Sequence, residues 1–532
     1  MNLATDKWIP VLRQDGLQDE VSLVAALTQG EGIADLAVRP PERIALMRLL
    51  LCVAHAALDP GGRDPRPRDQ DDWEGCRSEL ATRAGSYLHE WAAAFEMLGK
   101  GARFLQVQRL VPAVARRGGK RPEAGSDHAD EDEGKIVDKL DIFLAAGTNT
   151  TLFDNAGGSQ RPFTESRLAM MVLTFQSFSL SGPLGLALWN GAETLGKSPK
   201  NPSKTYTNHA VCASGNALHA FLRRRTLLET IHANLISYDA FTQHVGRSGS
   251  WGRPIWEAMP AQPAAVPALT RSYLGRLVPL CRAVRLDDNG KTMVLANGLH
   301  YPAFDEVFAE PSTTVIAAKD KGERKTLSAQ VGKALWRQLS AVTVLRRGGD
   351  VGGPLALRNV LDSDRFDLWA GGLVAAGNQK IEDSVESVFQ RLPVELTNET
   401  GQQRYNEGVK TAETIGSRLG RAVAKYRRLH KDETEHGEGR KRGFKLKAKA
   451  AMHYWTAAEN HVPELLALVR DFRPEPHKTW NDSLFAAALN AYDLACPHET
   501  PRQMKAYVLG RGVLLRPAAE PDRENENQEE TE

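Results

Sequence analysis

The chain has 532 residues, 42% hydrophobic and 25% charged, with a net charge of +2; this is the composition of an ordinary soluble globular protein and, at roughly 100–200 residues per domain, predicts two to four domains. No apolar run approaches the ~18–20 residues of a bilayer span: the longest, Ile44 to Leu58, is interrupted by Arg48 and His55. With no signal-peptide core at the N-terminus, a cytoplasmic protein without membrane contact is expected.

Trp8-Ile9-Pro10-Val11 reads as a short strand. A helix follows around Pro41 to Leu58, with Pro41 in its first turn and Ile44, Met47 and Leu51 at helical spacing. His55 continues that face and is expected to be a core or boundary histidine. Asp59 to Trp73, rich in Pro, Gly, Arg and Asp, reads as a loop. Arg116 to Lys135 runs from basic to Gly-rich to acidic and is expected to be mobile. Leu168 to Phe178 has helix length, and Pro199 to Asn208 is a loop. From Arg271 to Leu299, two β-prone runs flank Asp287-Asp288-Asn289-Gly290. Asn-Gly in that setting predicts a hairpin with Lys291 at its tip.

After about Gly371 the pattern turns helical, with candidate helices near Gln379–Leu392, Gly401–His430, Phe444–Phe472, Ser483–Tyr492 and Pro501–Leu509. Short polar connections predict a bundle. The expected division is a mixed domain over 1–375, a helical bundle over 376–515 and a disordered acidic tail over 516–532. From Glu520 to Glu532 there are seven acids and one Arg.

Several patterns bear on chemistry. The five cysteines form no CxxC pair, which offers neither a zinc knuckle nor a disulfide framework, and buried or idle thiols are expected. Gly191-Ala-Glu-Thr-Leu-Gly196-Lys197-Ser198 matches the P-loop expression. A true P-loop feeds a helix, and here Pro199 and Pro202 oppose one; the match is read as fortuitous, with a nucleotide-binding protein kept as the alternative function. No GxSxG elbow or HExxH spacing appears. No catalytic residue, metal site or cofactor is therefore expected.

From Arg418 to Lys449 there are twelve Lys/Arg against four Asp/Glu. Arg418, Arg421, Lys425 and Arg428 share one helical face, and Arg440-Lys441-Arg442 with Lys445, Lys447 and Lys449 extend the basic run. Such a surface suits phosphate contacts, which confer affinity without sequence preference. The competing reading is a solvated face paired with local Glu residues.

These residues, with Asn2-Leu3, Trp8-Ile9-Pro10-Val11, Phe104-Leu105-Gln106, Thr148 to Asn155, Asn297-Gly298-Leu299, Gly371-Gly372 and Asn378-Gln379, resemble the CasA family, the large subunit of the type I-E CRISPR complex Cascade. The order and spacing hold across nearly the whole chain. The resemblance implies an α+β fold, with a large mixed N-terminal domain followed by a C-terminal four-helix bundle. It implies a non-catalytic subunit that recognises the short flanking motif (PAM) in double-stranded target DNA, mainly from the minor groove. That subunit promotes duplex opening so that guide RNA can pair, and it helps recruit a helicase-nuclease. Guide RNA, target DNA, the other Cascade subunits and that effector are the implied partners; a purely architectural subunit is the other alternative.

By the resemblance, the family's lysine finger falls on Lys291, in agreement with the hairpin-tip reading. Its glutamine wedge falls on Gln379. Its glycine loop is represented only by Gly182 and Gly185, with the insertion Leu186 to Thr207 beside them. Its first recognition loop, which touches guide RNA and neighbouring subunits, falls on Asn149, Phe153, Asp154 and Asn155.

Overall fold

The computed structural model describes residues 1–113, 135–144, 161–180, 182, 184–196, 210–246, 249–263, 266–318, 323–346, 351–376, 380–430, 438–470 and 473–515, the side chains of 438–444 excepted. The segment 116–134, the recognition loop residues Asn149, Phe153, Asp154 and Asn155, the wedge Gln379, Lys197 with Ser198, the loop 199–208, and the acidic tail lie outside the described residues, as do the side chains of Arg440, Lys441 and Arg442. Two compact units emerge: Met1–Leu335 with Ala341–Val394, and Trp336–Ser340 with the chain from Glu395.

The first unit is mixed. Its strands are β1 (Ile9–Arg13), β2 (Gln18–Val21), β3 (Ile33–Leu36), β4 (Leu110–Pro112), β5 (Lys135–Ile136), β6 (Ala187–Trp189), β7 (Ala192–Glu193), β8 (His219–Arg223), β9 (Arg282–Leu286), β10 (Thr292–Asn297), β11 (Val315–Ala317), β12 (Arg324–Thr326), β13 (Arg365–Ala376) and β14 (Lys380–Pro393). They form small sheets in the orders β2-β1-β3, β4-β6-β7, β5-β10-β9, β11-β12 and β14-β13-β8. The main helices are α1 (Pro40–Leu58), α2 (Gln70–Glu90) and α3 (Glu165–Phe178).

Helix α1 is apolar almost all round and is buried along nearly its whole length. The two polar residues buried in its middle and last turns, Arg48 and His55, are accommodated by pairing and by neutrality. His55 is fully buried against the rings of Trp251 and Tyr273. Its Nε2 faces the Ile236 N–H and its Nδ1 the Arg66 carbonyl at 3.2 Å, and burial pushes its pKa down to about 4. Arg48 pairs with Glu310 at 2.9 Å, which also holds Arg276 at 2.7 Å. The five cysteines are all buried free thiols.

Two elements depart from the sequence expectation. The loop after Asp59 ends at Asp69, whose carboxylate accepts the Asp72 N–H at 2.9 Å and caps α2. The helix expected over Gln379–Leu392 is instead strand β14, paired to β13 from Arg365–Pro393 to Ala376–Lys380. Ile381, Val385, Val388, Phe389 and Leu392 recur at helical spacing, so periodicity alone misleads. The apolar strand β13 needs an edge partner for its backbone, and two register shifts along the ladder absorb the mismatch with a strand's period of two. Val388 is left 45% exposed.

The second unit is the helical bundle: α4 (Glu399–His430), α5 (Glu438–Asn460), α6 (Val462–Arg470), α7 (Pro474–Ala495) and α8 (Pro501–Leu515). Helices α5 and α6 are nearly continuous, broken at His461, so the unit has four arms. Its core holds Tyr405, Tyr426, Tyr454, Trp480, Leu484 and Tyr492. Unlike the expected start at residue 376, this unit begins at Glu395 and recruits Trp336–Ser340 from within the first 375 residues. Trp336 lies edge-on to Trp480 at 6.3 Å, and its carbonyl accepts the Tyr405 hydroxyl. Arg337 sits over the Trp455 ring and pairs with Glu413 at 2.7 Å.

Candidate functional site

The hairpin of β9 and β10 runs as the local sequence dictates, from Arg282 opposite Asn297 to Leu286 opposite Met293. The Asp287 carboxylate organises the turn: it accepts the N–H groups of Lys291 at 2.9 Å and Thr292 at 3.2 Å, and the Thr292 hydroxyl at 3.0 Å. Gly290 has φ +69° and is buried. A Cβ there would come within 2.8 Å of Leu168 in α3. Only glycine meets both demands, so the turn is seated on the helix rather than waving in solvent.

Side chains distant in sequence brace this ribbon. Arg103, buried, donates to the carbonyls of Gly99 at 2.6 Å and Leu286 at 2.8 Å and to the exposed Asp288 carboxylate at 2.5 Å. Gln106 accepts the Leu286 N–H at 3.0 Å and donates to the Met97 carbonyl. Gln176 of α3 accepts the Arg282 N–H and donates to the Arg282 carbonyl. The Arg282 guanidinium donates to the Asn297 side chain at 2.7 Å, the Ser179 hydroxyl at 3.2 Å and the Leu180 carbonyl at 2.6 Å. Both acids of the turn are thus engaged internally. Lys291 is exposed, and its ammonium has no ion-pair partner among the described residues.

Further cations lie along the ribbon. The Val137 N–H donates to the Lys291 carbonyl, and β5 brings Lys135 opposite Met293. Burial lowers the pKa of half-buried Lys139, with neighbouring Arg282 adding to the shift. These lysines, with Arg103, Gln106, Gln176 and Arg282, were not assigned a role from sequence. The only early signal was Phe104-Leu105-Gln106, which turns out to line the edge of the hairpin: Phe104 stacks on Phe95, and Val107 donates to the Val284 carbonyl.

The structure sorts the remaining expectations. Gly182 and Gly185 follow α3, just after Leu180, whose carbonyl binds Arg282; both have open space where a Cβ would be. They therefore lie near the base of the hairpin, not at its tip. The described start of the P-loop match lies in a β-hairpin: Asn190 and Gly191 have φ +48° and +83° and turn β6 into β7, Ala192–Glu193. Thr194 folds back on Ala187, and Leu195 offers its carbonyl to Asn297. The chain entering the recognition loop is pinned where Asp141 meets Arg39 and Arg167, with Arg39 over the Phe143 ring at 4.0 Å.

On the bundle, Arg421 and Arg428 are exposed and Lys425 is half-buried; none forms an ion pair with a described residue. Arg418 is partly occupied, donating to the Leu514 carbonyl of α8 at 2.8 Å. Lys445, Lys447 and Lys449 of α5 are exposed.

Fold and site together define an α+β protein that presents a lysine on a braced hairpin in one unit and a cationic helix face in the other. Among the described residues no group of three His, Cys, Asp or Glu is placed to hold a metal, and no helix is long and apolar enough to cross a membrane. The family model for CRISPR-associated protein Cse1 matches residues 2–491, and the chain belongs to this family, also called CasA. The CasA/Cse1 protein of Thermus thermophilus is 25% identical over 514 residues, 92% of this chain and 91% of that protein. The crystal structure of Cse1 from Acidimicrobium ferrooxidans superposes with a TM-score of 0.72 at 18% identity, covering 97% of each chain. A chain of a CRISPR RNA-guided surveillance complex superposes with a TM-score of 0.65 at 18% identity, over 97% of this chain and 99% of that one. These superpositions establish the fold.

Proposed function

We propose that this chain is the non-catalytic large subunit of a type I-E Cascade, assembled with guide RNA and the other subunits, that recognises the flanking motif in double-stranded target DNA. Lys291 enters the minor groove and donates to base-edge acceptors, whose degenerate pattern tolerates several motifs. Gln379 wedges the duplex open for guide pairing, Asn149 to Asn155 contact guide RNA and neighbouring subunits, and the Arg418–Lys449 face holds phosphates. The opened complex then recruits the helicase-nuclease. The observation that carries this reading is the pairing of a rigid ribbon with an uncommitted ammonium at its tip: fixed backbone limits the entropy lost on insertion, and a cation on a flexible stem suits a narrow groove. Similarity to a subunit of an RNA-guided surveillance complex supports the assembly.

The test is target-duplex binding by the assembled guide complex at fixed salt, comparing wild type with Lys291→Ala on duplexes with and without the flanking motif. Selective loss of roughly tenfold or more on the motif-bearing duplex is expected, the worth of one good groove contact. Unchanged discrimination would remove Lys291 from motif reading; equal loss on both duplexes would make it a phosphate contact.

A further inference from the structure

Helix α8 lies antiparallel along α4. Arg418 donates to the Leu514 carbonyl, and at Gly510 a Cβ would meet the Ala422 carbonyl at 3.0 Å and Tyr426 at 3.2 Å. The chain therefore leaves α8, after Leu515, beside Arg418. From that point Arg421, Lys425 and Arg428 follow on the same face, reaching about 15 Å along the helix at ~1.5 Å per residue. On this face Arg421 and Arg428 are exposed, Lys425 is half-buried, and none of these three has an ion-pair partner among the described residues. Five residues beyond Leu515 begins the segment Glu520–Glu532, with seven acids and one Arg. Five residues span up to ~17 Å, and the acids after them can lie back along the whole face.

We propose that the segment Glu520–Glu532 docks on the face formed by Arg421, Lys425 and Arg428 and competes there with nucleic-acid phosphate. Charge complementarity, the exit point beside Arg418 and the tether length all select this occupant. A tether of this length holds the acids at an effective concentration in the millimolar range, enough to occupy a weak ionic site. Phosphate then has to displace the segment, so random-sequence duplex is held back while a duplex also engaged elsewhere is not. The competition rests on this face being a phosphate contact; the docking does not.

The experiment uses three forms of the full chain: wild type, a chain shortened after Leu515, and one with the seven acids changed to Gln or Asn. Binding to a random-sequence duplex is read at low and high salt. Removing the acids by either route is expected to tighten binding about tenfold at low salt, with the gain shrinking at high salt and disappearing when Arg421→Glu and Arg428→Glu are added. Unchanged affinity on removing the acids overturns the competition. In a second arm, a labelled peptide of residues 516–532 is titrated into the shortened chain. Binding abolished by Arg421→Glu with Arg428→Glu supports docking, even if no form binds duplex and the phosphate reading itself fails. Absence of peptide binding, or binding indifferent to those substitutions, overturns it.

Discussion

The hairpin of β9 and β10 and the cationic face of α4 both offer positive charge, and they do so by opposite means. At the hairpin one lysine is held by a ribbon whose side-chain anchors are buried: Arg103, Gln106 and Gln176 bond backbone atoms of β9, and Arg282 bonds the Asn297 side chain across the base of the ribbon. On α4 several cations stand on the outside of a helix whose stability comes from the other side, where Tyr405, Tyr426 and Ala422 are buried. A site that must place one group to within fractions of an ångström is built from scattered, desolvated partners. A site that needs only summed charge is built from local repetition.

The contrast can be broken most strongly by acid. His55 and His244 are buried with pKa pushed down to about 4, and His219 to about 3, in each case chiefly by burial. An imidazole whose folded pKa lies below its unfolded value gives up its proton on folding. Stability from these groups is full above pH ~6.5 and is lost as pH falls towards the folded values, at about 1 kcal/mol per pH unit for each histidine. Unfolding followed separately in the two units between pH 7 and 4.5 is expected to show the first unit failing early. A first unit as stable at pH 5 as at pH 7 would contradict the neutral burial of these rings.

Arg282→Ala is the next largest effect. It strips hydrogen bonds from Asn297 and the Leu180 carbonyl inside the fold, and a loss of about 3 kcal/mol in denaturant unfolding is expected. Motif discrimination in the assembled complex should fall with it, since the tip loses its base. Gly290→Ala should cost about 1–2 kcal/mol, because alanine is disfavoured at positive φ and its methyl meets Leu168. An unchanged unfolding midpoint would mean the turn is not seated on α3.

The smallest effect on folding is expected from Arg421→Ala with Arg428→Ala. The unfolding midpoint should stay in place, while the slope of log affinity for duplex against log salt should become shallower by up to about two. A change in motif discrimination without a change in slope would show that this face does more than hold phosphates.

Much of this was readable in advance, and what failed did so for identifiable reasons. Asn289-Gly290 announced a hairpin because a tight reversal between β-prone runs is a local steric problem with few solutions, although the connection is the four residues Asp288 to Lys291 and not Asn-Gly alone. The helices of the bundle announced themselves by period. The same period over Ile381 to Leu392 gave the wrong element, since β13 supplied a backbone edge that the local pattern did not contain. Lys291 was found because it follows the turn directly. Its brace was missed because Arg103, Gln176 and Arg282 lie some seventy to a hundred and eighty residues apart in the chain and share no local pattern. Trp336 was missed likewise: nothing near it marks it as part of the bundle core.

By itself, then, the sequence determined the features set by near neighbours along the chain: the turn at Gly290, the amphipathic helices from Glu399 onward, the burial of α1 and the accumulation of charge on one face of α4. Each follows from steric limits or periodicity within a dozen residues. The tertiary structure decided which polar side chains became anchors, that β14 is a strand, that Trp336–Ser340 joins the bundle, and that the residues opening the P-loop match, Gly191 to Glu193, belong to a hairpin. Those outcomes depend on where backbone donors and acceptors are left unpaired once the chain has folded. Only the folded arrangement defines that, because a buried polar group must find its partner wherever in the chain it lies.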